Sequence, residues 1–153
     1  MTTYVDSSAL VPIYVPERFS RTARSVIPTI GPIPFTAMHR LEVINAFEQL
    51  VGRGVITRDE CEAVTAQLKD DVETLRLLPV AVDLDRVFVE ASELSRLHTA
   101  RARSRSVDRL HVAAARVMRC TSFVSADDRQ LAVAKRSGLV PMDIKRRSPR
   151  RPS

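Results

Sequence analysis

Residues 121–144, which read TSFVSADDRQLAVAKRSGLVPMDI, hold the pattern that decides the fold. The apolar run TSFVSA predicts a short buried strand, and DDRQLAVAKRSG predicts a helix that ends at Gly138. LVPMDI then predicts a second strand. A strand, a helix and a strand in this order form a βαβ unit, whose two strands are parallel. The segment therefore predicts a parallel sheet.

The same alternation of short apolar strands and amphipathic helices runs through the rest of the chain. TTYVD predicts a first strand, and apolar residues recur at helical spacing from Ala37 to Val51. Parallel sheets are covered by helices on both faces, so we expect an α/β fold with a covered sheet. Before residue 37 the sequence also predicts a helical turn over 7–15 that is cut by Pro12 and Pro16, a helix over 18–27 and a short strand near Phe35. A further helix begins with the capping box Thr57-x-x-Glu60 and runs to about Leu78, and a β-rich run over 79–84 follows it. The last predicted elements before residue 121 are helices over 84–99 and 107–119, the second with Ser106 as its N-cap.

Length and composition narrow the class of protein. A chain of 153 residues predicts one domain with one sizeable core. Apolar runs are too short to span a membrane, and the N-terminus lacks the pattern of a secretory signal, so we expect a cytoplasmic protein. Cys61 and Cys120 are isolated in the sequence, which predicts two buried, reduced thiols.

Positive charge is concentrated in two places. The net charge is +6, and the last nine residues, KRRSPRRPS, contribute five positive charges and no acid. A second concentration of arginines lies between Arg96 and Arg109. Such clusters suit the phosphate backbone of a nucleic acid. A solubilising tail and a solvated loop are the alternative interpretation.

Four acidic residues are the candidate functional groups: Asp6, Glu42, Asp108 and Asp127. Asp6 and Asp127 directly follow predicted strands, and functional residues gather beyond the carboxyl ends of the strands in parallel sheets. Asp108, at the start of a helix, can reach the same edge, and the helix dipole stabilises its charge there. Glu42 lies in the helical segment HRLEVINAF, and its position favours a site role and a solvated role equally.

Gathered carboxylates indicate a metal-dependent hydrolase. Carboxylates held close together repel one another, and a bound Mg²⁺ or Mn²⁺ keeps them ionised. Such a cation lowers the pKa of a bound water and stabilises charge on a leaving oxygen, which suits hydrolysis of a phosphodiester bond. Asp6 as a cap of the next turn and Asp108 as a first-turn helix acid are the alternatives. Asp128 is the rival of Asp127 for the fourth position.

Other polar side chains near these acids have more than one interpretation. His111 can be a metal ligand, but a structural hydrogen bond is favoured because Mg²⁺ prefers oxygen ligands. Arg109 is expected either to contact phosphate or to point outward. His39 and Arg40 are expected at the surface, with RNA contact as the alternative. The apolar stripe of the helix over 84–99 belongs either to the core or to a groove for a partner; its residues are Val87, Ala91 and Leu94. A solvated helix face is predicted by four acids, which are Asp59, Glu60, Asp70 and Asp71.

Four segments of the chain together resemble the PIN-domain family and, within it, the VapC-like toxins of bacterial toxin–antitoxin pairs. They are YVDSSALVPIYV at 4–15, LEVINAF at 41–47, VDRLHVAAA at 107–115 and FVSADDRQLAVAKRSGL at 123–139. The resemblance includes the order and approximate spacing of the four acids, and any one segment alone is weak. It spans residues 1–144, which we expect to form the PIN-like nuclease domain, and leaves 145–153 as a basic disordered tail.

The resemblance implies a three-layer α/β/α fold with a mainly parallel central sheet. It implies an endoribonuclease that depends on Mg²⁺, with Mn²⁺ as a substitute, and a cognate antitoxin that blocks the site. It also implies a homodimer. By position, Asp6, Glu42, Asp108 and Asp127 become the catalytic and metal-binding acids, and Ser125 matches a hydroxyl residue that orients a site acid or water.

Two other functions remain open at this point. The first is a PIN-like module that has lost catalysis and binds RNA through its basic surfaces, against which the intact set of four acids argues. The second is a phosphoryl-transfer domain with Asp6 as the nucleophile. Such domains carry an Asp-x-Asp motif, whereas residues 6–8 here read Asp-Ser-Ser.

Overall fold

Parallel strands form the centre of the structure, a computed structural model that describes residues 2–103 and 105–146. β1 pairs with β4 and β4 with β5, while β2 pairs with β3, and every pairing is parallel. Because β2 also lies beside β1, the order across the described part of the chain is β3-β2-β1-β4-β5. The strands are β1 Thr3–Val5, β2 Ile33–Phe35, β3 Leu77–Pro79, β4 Ser122–Ser125 and β5 Val140–Asp143.

Helices connect these strands and supply the outer layers. α1 and α2 follow β1, α3 and α4 connect β2 to β3, α5 and α6 connect β3 to β4, and α7 connects β4 to β5. This order gives the βαβ crossovers that parallel pairing requires. The helices are α1 Ser7–Tyr14, α2 Ser20–Val26, α3 Ala37–Gly52, α4 Arg58–Glu73, α5 Leu84–Ala102, α6 Ser106–Val117 and α7 Asp128–Arg136.

Two apolar clusters lie on opposite faces of the sheet. Successive residues of a strand point to opposite faces. Accordingly Tyr4 of β1 and Phe123 of β4, which are register partners, pack in one cluster with α5, α6 and α7. Val5 and Val124, the next pair, pack in the other cluster with α1, α3 and α4. The predicted α/β fold with a covered parallel sheet is confirmed, and it has three layers.

Several predicted details of α3, α4 and β3 were wrong. α4 ends at Glu73 and not near Leu78, and the β-rich run is β3 at Leu77–Pro79, slightly earlier than predicted. On α3 the apolar Leu41 is 72% exposed, while the polar His39 is fully buried. The apolar spacing over 37–51 therefore did not identify the buried face of α3 at these two positions, because a buried histidine with hydrogen-bond partners can replace an apolar residue in the core.

Some open alternatives are settled by the same packing. Val87, Ala91 and Leu94 of α5 are buried in the second cluster, so they form core and not a groove. Cys61 and Cys120 are free and buried, as predicted. No helix among the described residues combines the length and the apolar character needed to cross a membrane.

The predicted basic tail over 145–153 is only partly covered by the structure. Lys145 Nζ lies 2.5 Å from Asp128 Oδ1, and Arg146 Nε lies 3.3 Å from Asp143 Oδ2. These first two residues thus make ion pairs with α7 and β5. Residues 147–153 lie outside the described residues, and the boundary of the domain stays a prediction.

Asp71 was predicted to be solvated and is instead buried between helices. Its Oδ2 accepts a hydrogen bond of 2.6 Å from the Tyr14 hydroxyl of α1, and its Oδ1 accepts one of 2.8 Å from Arg76 Nη1. Burial, followed by the Asp71 carboxylate, raises the pKa of Tyr14 well above its usual range. The pair joins α1 to α4, and a helical charge pattern alone does not reveal such a partner.

Removal of the Tyr14 hydroxyl tests this link. We expect Tyr14→Phe to lower the free energy of unfolding by about 1–3 kcal/mol, because a largely buried carboxylate oxygen loses its donor. Urea unfolding followed by circular dichroism measures the change. Thr99→Val removes an exposed hydroxyl from α5 and should stay within about 0.5 kcal/mol of wild type. A Tyr14→Phe protein as stable as Thr99→Val would contradict the link.

Candidate metal centre

The strand order places a natural binding edge between β1 and β4. From β1 the chain continues to β2 and β3 on one side of β1, and then crosses to β4 and β5 on its other side. The order of the strands therefore reverses between β1 and β4. Ligands bind beyond the carboxyl ends of the strands at such a point. Asp6 follows β1 there, and Ser125 to Asp127 end β4.

Asp6 is buried and held by the backbone around it. It is the N-cap of α1, and its Oδ2 accepts a hydrogen bond of 3.0 Å from the Ser8 N–H. Its own N–H donates to the Val124 carbonyl at 2.8 Å, which continues the β1–β4 pairing. The carboxylate is therefore fixed at the edge of the sheet although it is only 5% exposed.

Glu42 reaches the same edge from α3. Its Oε2 accepts a hydrogen bond of 2.7 Å from Ser7 Oγ and a short one from His111 Nε2. Burial raises the pKa of Glu42, but the hydrogen bonds from His111 and Ser7 outweigh burial and hold it below its usual range. The carboxylate therefore stays ionised, which a metal ligand requires.

His111 of α6 lies between two carboxylates. Its Nε2 is 3.8 Å from Asp6 Oδ1 as well as bonded to Glu42, and its Nδ1 is 2.6 Å from the Tyr4 hydroxyl. Burial lowers the pKa of His111, but the Glu42 hydrogen bond and the charge of Asp6 raise it, and the net pKa is above its ordinary value. The structural hydrogen bond predicted for His111 is thus present, and it connects α6 to a site acid.

Asp108 lies in the first turn of α6. Its Oδ2 accepts a hydrogen bond of 3.1 Å from the Arg105 N–H, and Arg105, not Ser106, is the N-cap residue of the helix. Burial, and then repulsion from Asp127 and Asp6, raise the pKa of Asp108. The raised pKa agrees with the placement of all three carboxylates on the wall of one cleft.

Asp127 has a backbone role in addition to its place at the edge. It is the N-cap of α7, and its Oδ1 accepts hydrogen bonds from the N–H groups of Arg129 at 2.8 Å and Gln130 at 3.0 Å. Its rival Asp128 is exposed and paired with Lys145. Of the two, only Asp127 lines the cleft that the other acids share.

All four predicted acids line one cleft of about 480 Å³. A cavity of similar size, about 500 Å³, lies between α7 and β5, and the acids on its wall are Asp128 and Asp143, both near Lys145. We take the first cleft as the candidate site because it lies beyond the ends of β1 and β4 and is lined by all four acids. The set of four remains a prediction as a catalytic group.

The side chains in this cleft fit a divalent cation. Ligand atoms of Asp6, Glu42 and His111 all lie within 4.8 Å of one another. Three further features agree with a cation there: carboxylate oxygens as donors, the raised pKa of Asp108, and a cleft open enough to admit water. Asp6, Glu42 and Asp108 would supply oxygen ligands, and His111, whose two nitrogens contact Tyr4 and Glu42, would orient Glu42.

Two predictions about neighbouring residues were wrong. His39 is fully buried, not at the surface. Its Nδ1 accepts the Thr36 N–H at 3.0 Å, so its Nε2 donates to the Val5 carbonyl at 2.9 Å, and burial followed by His111 lowers its pKa to about 3. Arg109 is also buried and neither points outward nor lies at the cleft, since its Nη1 donates to the Arg105 carbonyl at 3.3 Å.

Three residues of the cleft were missed by sequence reasoning. Ser7 donates to Glu42, Ser8 contacts Asp6 through its N–H, and Gln130 contacts Asp6 through its side chain. Each of the three lies in the first turn of a helix, within three residues of a predicted acid. Side chains in the first turn lie close to the end of the preceding strand. That proximity is the signal that could have identified them.

Comparison with known proteins agrees with this geometry. The sequence profile described as PIN domain matches residues 3–136. The chain belongs to the PIN domain family. PIN domains are generally nucleases, which fits an acidic cleft at this edge of the sheet.

Two solved structures share the fold of this PIN domain. One is the crystal structure of FitAcB from Neisseria gonorrhoeae, at 11% identity and a TM-score of 0.67, with 94% of this chain and 99% of that chain covered. The other is the crystal structure of DNA-bound VapBC from Salmonella typhimurium, at 12% identity and a TM-score of 0.60, with 94% and 98% covered. A search of curated proteins finds no significant match.

The pairing of His111 with Glu42 predicts how stability depends on pH in this PIN domain. A histidine whose pKa is raised on folding stabilises the protein below its unfolded pKa, and this contribution is lost as the pH rises through the folded pKa. With a chelator present, we expect the free energy of unfolding to fall from pH 6.5 upward, by at most about 1.4 kcal/mol per pH unit. Urea unfolding at a series of pH values from 6.5 to 8.5 measures this fall.

His111→Phe should remove that dependence. His98→Asn is the matched control, because burial and nearby arginines lower the pKa of His98, so it contributes no stability that is lost as the pH rises. The control should keep the slope of wild type. An unchanged slope in His111→Phe would contradict the assigned pairing.

Proposed function

We propose that this PIN domain is an endoribonuclease that depends on Mg²⁺, or on Mn²⁺ in its place, and that serves as the toxin of a toxin–antitoxin pair in the cytoplasm. The observation that carries the proposal is the meeting of Asp6, Glu42, Asp108 and Asp127 in one cleft where the sheet order reverses. Family membership and the resemblance of four sequence segments to VapC-like toxins support it.

Oxygen donors dominate the cleft and favour a hard cation. Asp6, Glu42 and Asp108 would hold it, and Asp127 borders the same space. Both nitrogens of His111 already have partners, Tyr4 and Glu42. In this proposal His111 therefore donates a hydrogen bond to Glu42, which holds the cation. A bound divalent cation supplies a water of lowered pKa and stabilises charge on the departing oxygen.

The cleft also has a cationic wall for the substrate. Arg105 lines it, its side chain is 85% exposed, and its Nε lies 3.7 Å from Asp108 Oδ2. An exposed guanidinium beside the acids can bind a phosphate of the RNA backbone while the acids remain with the cation. Arg105 would thus orient the scissile phosphate.

A cognate antitoxin protein and a homodimer complete the proposal. The FitAcB and VapBC structures that share this fold are named as complexes, and VapC-like toxins pair with small antitoxins. We expect expression of the chain alone to arrest growth of a bacterial host. Co-expression of the small protein encoded directly upstream should restore growth and form a complex that purifies intact.

Substitution of the acids tests the proposed activity. Asp6→Asn and Asp108→Asn should each lower the rate of RNA cleavage with Mg²⁺ or Mn²⁺ by about 100-fold or more, because each loses a charge that would hold the cation, and with the cation its electrostatic stabilisation of the transition state. Sequencing of the RNA ends should show 5′ phosphates, which attack by water leaves. Asp128→Asn is the matched control and should cleave at the wild-type rate, because Asp128 pairs with Lys145.

Other results would point elsewhere. Equal cleavage by wild type and both Asn variants would contradict the assigned site. A 2′,3′-cyclic phosphate would indicate attack by the 2′-hydroxyl of the RNA and contradict attack by water. RNA binding with no cleavage stimulated by a metal would favour the inactive RNA-binding module.

A further inference from the structure

Gln130 is a buried polar residue that the sequence did not single out. It lies in the first turn of α7, directly beyond β4, and is 2% exposed. Burial of an amide is unfavourable unless its donors and acceptor find partners. The partners of Gln130 are therefore informative, and most of them belong to the acidic residues of the cleft.

Gln130 contacts three of the four acidic residues. Its Nε2 donates to Asp6 Oδ1 at 3.1 Å and to the Asp108 carbonyl at 3.0 Å, and its backbone N–H donates to Asp127 Oδ1 at 3.0 Å. The same side chain thus joins the end of β1, the start of α6 and the start of α7. An amide carries no charge, so it can bridge the acids without taking the place of a cation.

The partners of the Gln130 amide fix which end of it faces Asp6. Ser125 Oγ accepts the Asp127 N–H at 3.0 Å and donates to Gln130 Oε1 at 2.6 Å. The Asp6 carboxylate and the Asp108 carbonyl only accept, so they face the two hydrogens on Nε2, and the Ser125 hydroxyl, which can donate, faces Oε1. The network therefore assigns the orientation of the Gln130 amide.

The carboxylate of Asp6 is consequently held at both oxygens. Gln130 donates to Oδ1 and the Ser8 N–H donates to Oδ2 at 3.0 Å. Each oxygen retains a lone pair, and rotation of the carboxylate would break one of the two bonds. Neighbours of this kind orient metal ligands, and their loss usually weakens metal binding.

We propose that Gln130 is a positioning residue, which sets the orientation of Asp6 and its place relative to Asp108 for binding of a divalent cation. The inference rests on the proposed function, since it assumes that Asp6 is a metal ligand. It adds that the metal site extends to a neutral side chain on α7 and to Ser125, which holds that side chain in place. A purely structural Gln130 would join the same elements without affecting metal affinity.

Mn²⁺ binding to the intact protein without RNA separates these two roles. We expect Gln130→Met, which keeps the length of the side chain and removes its hydrogen bonds, to bind Mn²⁺ about 10- to 100-fold more weakly than wild type. Free Mn²⁺ measured by electron paramagnetic resonance gives the affinity, and circular dichroism confirms that the protein is folded. Gln67→Met is the matched control, because Gln67 is an exposed amide on α4 that does not line the cleft.

The control should bind Mn²⁺ as wild type does, and the folded Gln130→Met protein should not. Equal affinities in these proteins would overturn the positioning role. If Gln130→Met does not fold, Ser125→Ala is the second variant, since it leaves Gln130 in place and removes the donor to Oε1. We expect Ser125→Ala to weaken Mn²⁺ binding about two- to tenfold, the effect of one neutral hydrogen bond, and an unchanged affinity would overturn the proposal.

The same measurement distinguishes failure of this inference from failure of the proposed function. A wild-type protein that binds no Mn²⁺ would overturn the metal-dependent nuclease, and the positioning role with it. A wild-type protein that binds Mn²⁺ with the affinity of Gln130→Met would overturn the positioning role alone.

Discussion

The parallel pairing of β1 with β4 is the contact on which the rest of the structure depends. It sets Tyr4 opposite Phe123 on one face of the sheet and Val5 opposite Val124 on the other. Each pair lies in one of the two apolar clusters that the helices cover. The hydrogen bond from the Asp6 N–H to the Val124 carbonyl extends the pairing by one step. The same pairing thus brings a carboxylate from the start of the chain beside the end of β4, and with it the acidic cleft.

The cleft gathers negative charge that the protein only partly offsets. His111 stabilises Glu42 as an ion, whereas burial and the charges of Asp127 and Asp6 raise the pKa of Asp108. Gln130 adds hydrogen bonds without adding charge. A site arranged in this way favours a cation, because the cation removes the remaining repulsion among the acids and the only arginine paired with one of them in the described cleft, Arg105, is exposed and free to turn toward a substrate.

Much of the fold could be predicted from the sequence, because strand ends and helix starts have local signals. Asp6 and Asp127 are examples, since each follows an apolar strand. Glu42 lies in the middle of α3, and only the family resemblance brought it into the set. His39, Asp71 and Arg109 were predicted to be exposed or at the substrate and are buried, because their partners lie on other segments or on backbone carbonyls that a hydropathy pattern does not identify.

Crystals of the protein grown with Mn²⁺ offer the most direct test of the central claim, which is that the β1–β4 edge forms a divalent metal site. Anomalous scattering from manganese locates the ion independently of activity. We expect one peak in the cleft at about 2.1 Å from a carboxylate oxygen of Asp6, with Glu42 or Asp108 also bound directly or through a water. A peak only at other acids, such as Asp128 and Asp143, or an ordered cleft with no peak at saturating Mn²⁺, would contradict the claim.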